Sequence, residues 1–212
     1  MIRKICIFIA LNFIILSLYS QNNTPPTPVE LFFGNNRTNA QLSLNKNIKG
    51  KFNFANLTVA AADYKNTFTE NEVIMMNTIN YQFHKNINIG AGLRYHYKKG
   101  FIPNISMSFT HFNPTWSFIL SPCFEFLPKR DIEFVGIIEF KPKLTDKIRL
   151  YSRLQGLYNH NLTDNLHDRS YANFRLGLKI NRIAFGGAAN IDYYGPKKIY
   201  KNNYGVFFKY DF

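Results

Sequence analysis

The chain has 212 residues, with 26 Lys plus Arg against 13 Asp plus Glu and a formal net charge of +13. Aromatic residues make up 17%, with 21 Phe and 13 Tyr, which excludes a disordered chain. After residue 20 no apolar run reaches the ~18–20 residues of a membrane-crossing helix, and no repeat of solenoid length is visible.

In chain order, residues 1–20 (MIRKICIFIALNFIILSLYS) place Arg3 and Lys4 before an apolar stretch interrupted only by Asn12. That is the layout of a secretory signal peptide, with cleavage expected near Ser20–Gln21; a retained membrane anchor is the alternative. Cleavage removes Cys6 and leaves Cys123 as a lone cysteine, so no intramolecular disulfide is expected. Residues 21–28 contain NNTPPTP, a proline-rich extended segment read as a periplasmic lead-in. The domain proper is expected over 29–212.

From Val29 onward the dominant period is two, which places alternate side chains on opposite faces of a strand. Strands are predicted near 29–36, 38–46, 51–62, 72–83, 86–98 and 101–112, then near 115–127, 131–143, 147–159, 171–180, 182–194 and 203–212. That is twelve strands. The first two carry the weakest pattern, so ten is the alternative. Phe52 and Phe54 are out of phase with Leu57, Val59 and Ala61, and a bulge near Ala55–Asn56 is the expected cause. Pro103, Pro122 and Pro142 fall inside predicted strands and demand local irregularity or a strand end. In 171–180 the apolar set is Ala172, Phe174, Leu176, Leu178 and Ile180, opposed by Asn173, Arg175, Gly177 and Lys179. Tight breakers such as Lys49–Gly50 and Asn181–Arg182 broadly alternate with longer ones such as 63–71 and 161–169. Short turns on one side and longer loops on the other suit a membrane barrel.

Alternation alone does not say which way the apolar face points. A soluble periplasmic β-sandwich would bury it, whereas a membrane barrel turns it to lipid. Three features favour the barrel. Each well-defined strand has a polar face, which carries Arg94, Glu125, Glu139, Arg149, Arg153, Arg175, Lys179, Asp192 and Lys209. Aromatics such as Tyr81, Phe83, Phe112, Trp116 and Phe140 gather at the short-turn ends, and Tyr95, Phe101, Tyr158 and Tyr193 at the long-loop ends, as interfacial girdles do. Finally, Tyr204, Val206, Phe208, Tyr210 and Phe212 alternate to the last residue. This pattern resembles the terminal insertion signal of Gram-negative outer-membrane β-barrel proteins, small porin-like class. The resemblance implies export to the outer membrane, insertion by the barrel-assembly machinery, and contact with outer-membrane lipid.

The expected fold is thus an all-β, transmembrane antiparallel up-and-down barrel. Its predicted inward charges are Arg94, Lys98, Lys141, Lys143, Arg149, Arg153, Arg175, Lys179, Arg182 and Lys209, against Glu125, Glu133, Glu139, Asp192 and Asp211. Arg149, Arg153, Arg175 and Lys179 lie on neighbouring strands and form one basic wall in this reading, with Glu133 and Glu139 as pairing partners. A basic track favours anions, so a narrow channel for small anionic solutes is the leading expectation. In strand number and basic lumen the chain looks like the monomeric twelve-stranded porins for acidic sugars, an analogy of architecture rather than of motif. The alternative is a closed barrel filled by its own side chains, acting as an accessory subunit beside an envelope protein. A more remote alternative is a rim enzyme acting on lipid through His160 and Ser170, with Asp164 and Asp168 nearby. His160, Asp164, His167 and Asp168 match no strong metal spacing. No enzyme, metal or cofactor is expected. Nor is a nucleic-acid partner, because the basic residues are interleaved with aromatics along strands rather than gathered in one patch.

Overall fold

The computed structural model describes residues 26–65 and 71–212. The signal peptide and most of the 21–28 lead-in lie outside the described residues, as does the middle of the 63–71 loop. The described chain forms twelve strands: β1 (Pro28–Gly34), β2 (Arg37–Lys49), β3 (Phe52–Asp63), β4 (Glu72–His84), β5 (Ile87–His96), β6 (Gly100–Phe112), β7 (Trp116–Glu125), β8 (Asp131–Phe140), β9 (Ile148–Asn161), β10 (Leu166–Ile180), β11 (Ile183–Tyr194) and β12 (Ile199–Asp211). Each pairs antiparallel with its sequence neighbours, and β1 pairs with β12 to close the barrel. Closure leaves no sheet edge, so every strand backbone can be paired even in lipid.

The seam is held by a side chain as well as by the ladder. Asn203, fully buried on β12, accepts from the backbone N of Asn36 (3.0 Å) and of Arg37 (3.3 Å) and donates to the Arg37 carbonyl (2.9 Å). Its amide fills the space a side chain at position 34 would need, since a Cβ on Gly34 would lie 2.1 Å from Asn203 Oδ1. Both chain ends meet at one end of the barrel, where Thr27 and Phe212 exchange backbone hydrogen bonds of 3.3 and 3.1 Å.

The apolar face points outward. Phe174 and Leu176 are 44% and 62% exposed, while Arg175 between them is 5% exposed. Aromatic pairs mark both ends of the outer belt. Phe52–Tyr81 and Trp116–Phe140 lie toward the terminal end, and Tyr95–Phe101 and Tyr193–Tyr200 toward the other. Tyr204, Val206, Phe208 and Tyr210 lie on the outward face of β12, and Phe212 is exposed at its end. Phe112 departs from the girdle expected for it: it pairs with Ser117 on the inward parity, at the rim.

Two further expectations, the bulge and the connection lengths, need correction, while Pro122 and Pro142 fall where a proline is expected to. No bulge occurs at Ala55–Asn56; β3 runs in unbroken register against β4 from Phe52↔Tyr81 to Ala61↔Glu72. The phase break is instead a change of wall chemistry, with Leu57, Val59 and Ala61 facing the lumen. Register shifts lie at Asn47/Lys49, Gln82/His84 and His167/Arg169. Pro142 lies beyond β8, and Pro122 lies where the β6–β7 ladder lapses between Ser106↔Cys123 and Phe109↔Leu120, as a missing N–H requires. The two ends also differ less in connection length than expected. The outer connection 35–36 is short, and the terminal-end connection 141–147 is long, tied by a Lys143↔Arg149 bridge.

An Arg at the middle of the outer belt must sit in hydrocarbon. Phe174→Arg is therefore expected to lower stability in a bilayer by about 2–4 kcal/mol. Urea titration in phospholipid vesicles, read by Trp116 fluorescence, checks this; an unchanged midpoint would count against a lipid-facing belt.

Candidate functional site: the barrel lumen

The inward parity gathers charges at four levels. At the outer end, Arg37 pairs with Asp192 (2.9 Å) and Glu72 (3.5 Å), and Arg169 with Asp192 (2.8 Å) and Glu72 (3.1 Å). Tyr194 also donates to Glu72 (2.7 Å). Glu72 on β4 and Arg169 on β10 lie on diametrically opposite strands, so one ion pair spans the lumen. Next, Arg94 holds Glu125 and Glu133, both at 2.5 Å, and Asn159 donates to Glu133 (3.3 Å). Lower down, Glu30 accepts from Arg153 (2.7 Å) and Arg175 (2.9 Å). At the terminal end, Glu139 takes Lys141 (2.7 Å), Lys209 (3.5 Å) and the Tyr151 hydroxyl (2.9 Å), and Lys179 pairs with Asp211. A small apolar cluster of Phe32, Tyr151, Ala184 and Phe207 packs inside beside these groups.

The basic wall is in register, with Arg149↔Lys179 and Arg153↔Arg175 as cross-strand partners. Its pairing differs from expectation. Arg153 stands opposite Glu139 in the ladder, yet its guanidinium reaches Glu30 across the barrel. Glu133 serves Arg94 instead. Arg149 meets neutral acceptors, the carbonyls of Pro114 (2.9 Å) and Lys141 (3.2 Å). Glu30, Glu72, Asp131, Arg37 and Arg169 were absent from the predicted inward charges, and all five enter lumen ion pairs. Their only sequence signal was strand parity. Lys98, Lys143 and Arg182 do not line the lumen: Lys98 lies in the β5–β6 connection, Lys143 pairs with Asp146 beyond β8, and Arg182 lies in the β10–β11 turn.

The inner surface is therefore two-sided. Inward residues of β8–β12 and β1 are mostly buried in these clusters. On β2–β6 the inward positions Gln41, Ser43, Asn53, Asn80, Asn88 and Ser106 are uncharged and at most half-buried. Asn80 donates to Asn53 (3.0 Å), and its amide uses the space left open at Gly90.

Above the outer cluster, Lys99 in the β5–β6 connection reaches Asp131 (2.8 Å) and Asp168 (2.9 Å), strapping the mouth. Burial disfavours its ammonium, but the two carboxylates outweigh burial and raise its pKa above the ordinary lysine value. The Lys99 ammonium is thus charged at neutral pH, and its side of the strap is lost as pH rises past that raised value. At the rim, Ser170 Oγ lies 3.0 Å from His167 Nε2, not near His160, whose Nε2 meets Asn165 Oδ1 at 3.0 Å. Among the described residues no group of three or more His, Cys, Asp or Glu is placed to hold a metal ion.

No protein-family model and no curated protein matches the chain. Solved structures do. The NanC porin superposes with a TM-score of 0.53 at 10% identity, covering 88% of this chain and 100% of that one. The KdgM porin gives a TM-score of 0.50 at 12% identity, covering 88% and 98%. The fold is that of a Gram-negative outer-membrane β-barrel of the porin-like class. The exposed apolar belt is the surface that such a barrel turns to lipid.

Removing one partner of a buried ion cluster leaves uncompensated charge. Glu30→Gln strands Arg153 and Arg175 together and is expected to cost about 3–5 kcal/mol of folding stability. Denaturant unfolding in detergent micelles measures it; a loss under about 1 kcal/mol, the worth of an exposed pair, would show that Glu30 is not a buried hub.

Proposed function

We propose that this barrel is a narrow passive channel for small hydrophilic solutes with a preference for anions. The observation that carries the reading is the two-sided lumen, in which half-buried amides and hydroxyls on β2–β6 face a wall of buried ion clusters. A polar solute can exchange its hydration for Asn, Gln and Ser groups along β2–β6 without breaking the charged clusters. The anion preference comes from the periplasmic mouth rather than mid-lumen. A cleft of about 420 Å³ there is lined by Lys141, Lys147, Arg149 and Lys179, with Asp146 as its one acid. Lys141 and Lys179 are paired, whereas Arg149 rests on carbonyls and keeps its charge. The NanC and KdgM proteins are themselves named as porins, which accords with this reading. Export, and insertion by the barrel-assembly machinery through Tyr204, Val206, Phe208, Tyr210 and Phe212, belong to the same proposal.

Purified protein in planar bilayers is expected to give small discrete conductance steps, with a reversal potential in a KCl gradient that favours chloride. Lys147→Glu with Arg149→Glu should shift that potential toward potassium. Cation selectivity in the parent would overturn the anion preference.

A second reading, a closed barrel acting as an accessory subunit of an envelope assembly, draws on the cross-lumen Glu72–Arg169 pair and the Lys99 strap. The two diverge on one comparison. If the barrel conducts, Lys99→Ala should raise the conductance or the open fraction. A parent and a Lys99→Ala variant that are both silent would favour the closed barrel.

A further inference from the structure

Ser170 stands on the lipid-facing side of β10, between its ladder partners Tyr158 on β9 and Tyr193 on β11, two exposed tyrosines near the outer end. Strict alternation would send His167, an odd number of residues earlier, to the opposite face. The register shift between His167 and Arg169 makes Asp168 an extra residue, so His167 pairs with His160 and keeps the face that Ser170 occupies. Its ring lies 5.8 Å from that of Tyr158. The β11–β12 turn clamps this irregularity: Gly195 N donates to the Asp168 carbonyl (2.7 Å), and the Gly195 carbonyl meets His167 Nδ1 (2.8 Å).

A carbonyl can only accept, so in neutral His167 the proton sits on Nδ1 and Nε2 presents a lone pair. Ser170 Oγ lies 3.0 Å from Nε2 and donates to it. A hydroxyl, a base within hydrogen-bond reach and a third group that orients the base are the parts that activate a serine as a nucleophile. The imidazole is buried and held, while Ser170 is half-buried and open on its lipid side. Girdle tyrosines mark the height of the headgroups. The esters that join acyl chains to those headgroups lie at that height.

We propose that Ser170 and His167 form a second site, on the outer wall of the barrel, that cleaves acyl esters of membrane lipid. Ser170 Oγ attacks the ester carbonyl carbon and passes its proton to His167 Nε2. The bond from that carbon to the lipid alkoxide oxygen breaks, and the leaving oxygen takes the proton from Nε2. Water then attacks the acyl-serine with Nε2 again as base, which releases a fatty acid and restores Ser170. Ester and water become acid and alcohol, and no other reactant is needed. The lumen takes no part, so the proposal rests on the fold and not on conduction.

The test uses the full barrel in detergent micelles. A long-chain alkyl fluorophosphonate should form a phosphonyl ester at Ser170, with fluoride leaving, read by peptide mass spectrometry. Ser170→Ala should take no label. His167→Gln should label at least about a hundredfold more slowly, the worth of a positioned general base. The parent's labelling rate should fall as pH drops and the imidazole is protonated, which a merely structural contact would not produce. In mixed micelles of diacyl phospholipid and lipopolysaccharide the parent should release fatty acid, and Ser170→Ala should not. Both variants should keep the heat-modifiable gel mobility of a folded barrel, since neither side chain enters a lumen cluster. No label at Ser170 in the folded parent would overturn the proposal, as would an unchanged rate in His167→Gln. Label without fatty acid release, or faster cleavage of a water-soluble short-chain ester than of micellar lipid, would overturn lipid as the substrate.

Discussion

The ladder between the first and last strands is the constraint from which the rest follows. Once β1 pairs with β12 from Pro28↔Asp211 to Gly34↔Gly205, strand alternation sorts every side chain to one of two solvents. Asn203 secures that seam at its outer end by capping the β1–β2 turn from the facing strand. An open sheet would leave unpaired N–H and C=O groups facing hydrocarbon, which lipid does not tolerate. Closure therefore decides where Arg175 goes as firmly as it decides where Phe174 goes.

Inside, charge must meet charge. Glu30 serves two arginines from β9 and β10, and Arg94 serves two glutamates from β7 and β8. Because these hubs bridge strands that are not neighbours, they act as struts across the cylinder and not as rungs along one ladder. The Glu30 hub lies on the β8–β1 side together with Phe32, Tyr151 and Phe207, whereas the Arg94 hub reaches from β5 to β7 and β8. Between Arg37, Asp63, Glu72 and Arg94, the β2–β6 wall carries mainly amides, hydroxyls and apolar groups. Its inward Leu57, Val59 and Met76 are too weakly polar to hold a charged strut. The asymmetry of the lumen is thus a consequence of where the clusters close.

The strands were legible because most of them differ sharply between faces. On β10, Phe174 and Leu176 alternate with Arg175 and Lys179, and the observed pairing follows that pattern. β3 shows the limit. A bulge and an apolar lumen patch produce the same phase break in sequence, and only the uninterrupted register against β4 separates them. The lumen charges were legible one strand at a time, but their partners were not. Arg153 and Glu30 are 123 positions apart, and the chord joining them depends on barrel diameter and tilt. Arg169 was missed because the expected strand 171–180 left it in the preceding loop, whereas β10 starts at Leu166. The register shift beside His167 lets the consecutive residues Asp168 and Arg169 both reach partners over the lumen, where strict alternation would separate them.

The contrast between Arg175 and Arg149 separates charge that holds the barrel together from charge left open on the same wall. Both guanidiniums are inward, on adjacent strands. Arg175 shares the single Glu30 carboxylate with Arg153, so the field of the two guanidiniums is cancelled only in part while the shared contact makes the wall rigid. Arg149 meets carbonyl dipoles, which fix its direction while leaving the unit charge intact. Counting basic residues on the inner face therefore overstates the positive potential that a solute would meet. The acceptor decides it, and in the proposed channel the exposed positive charge nearest the mouth would be that of Lys147 and Arg149.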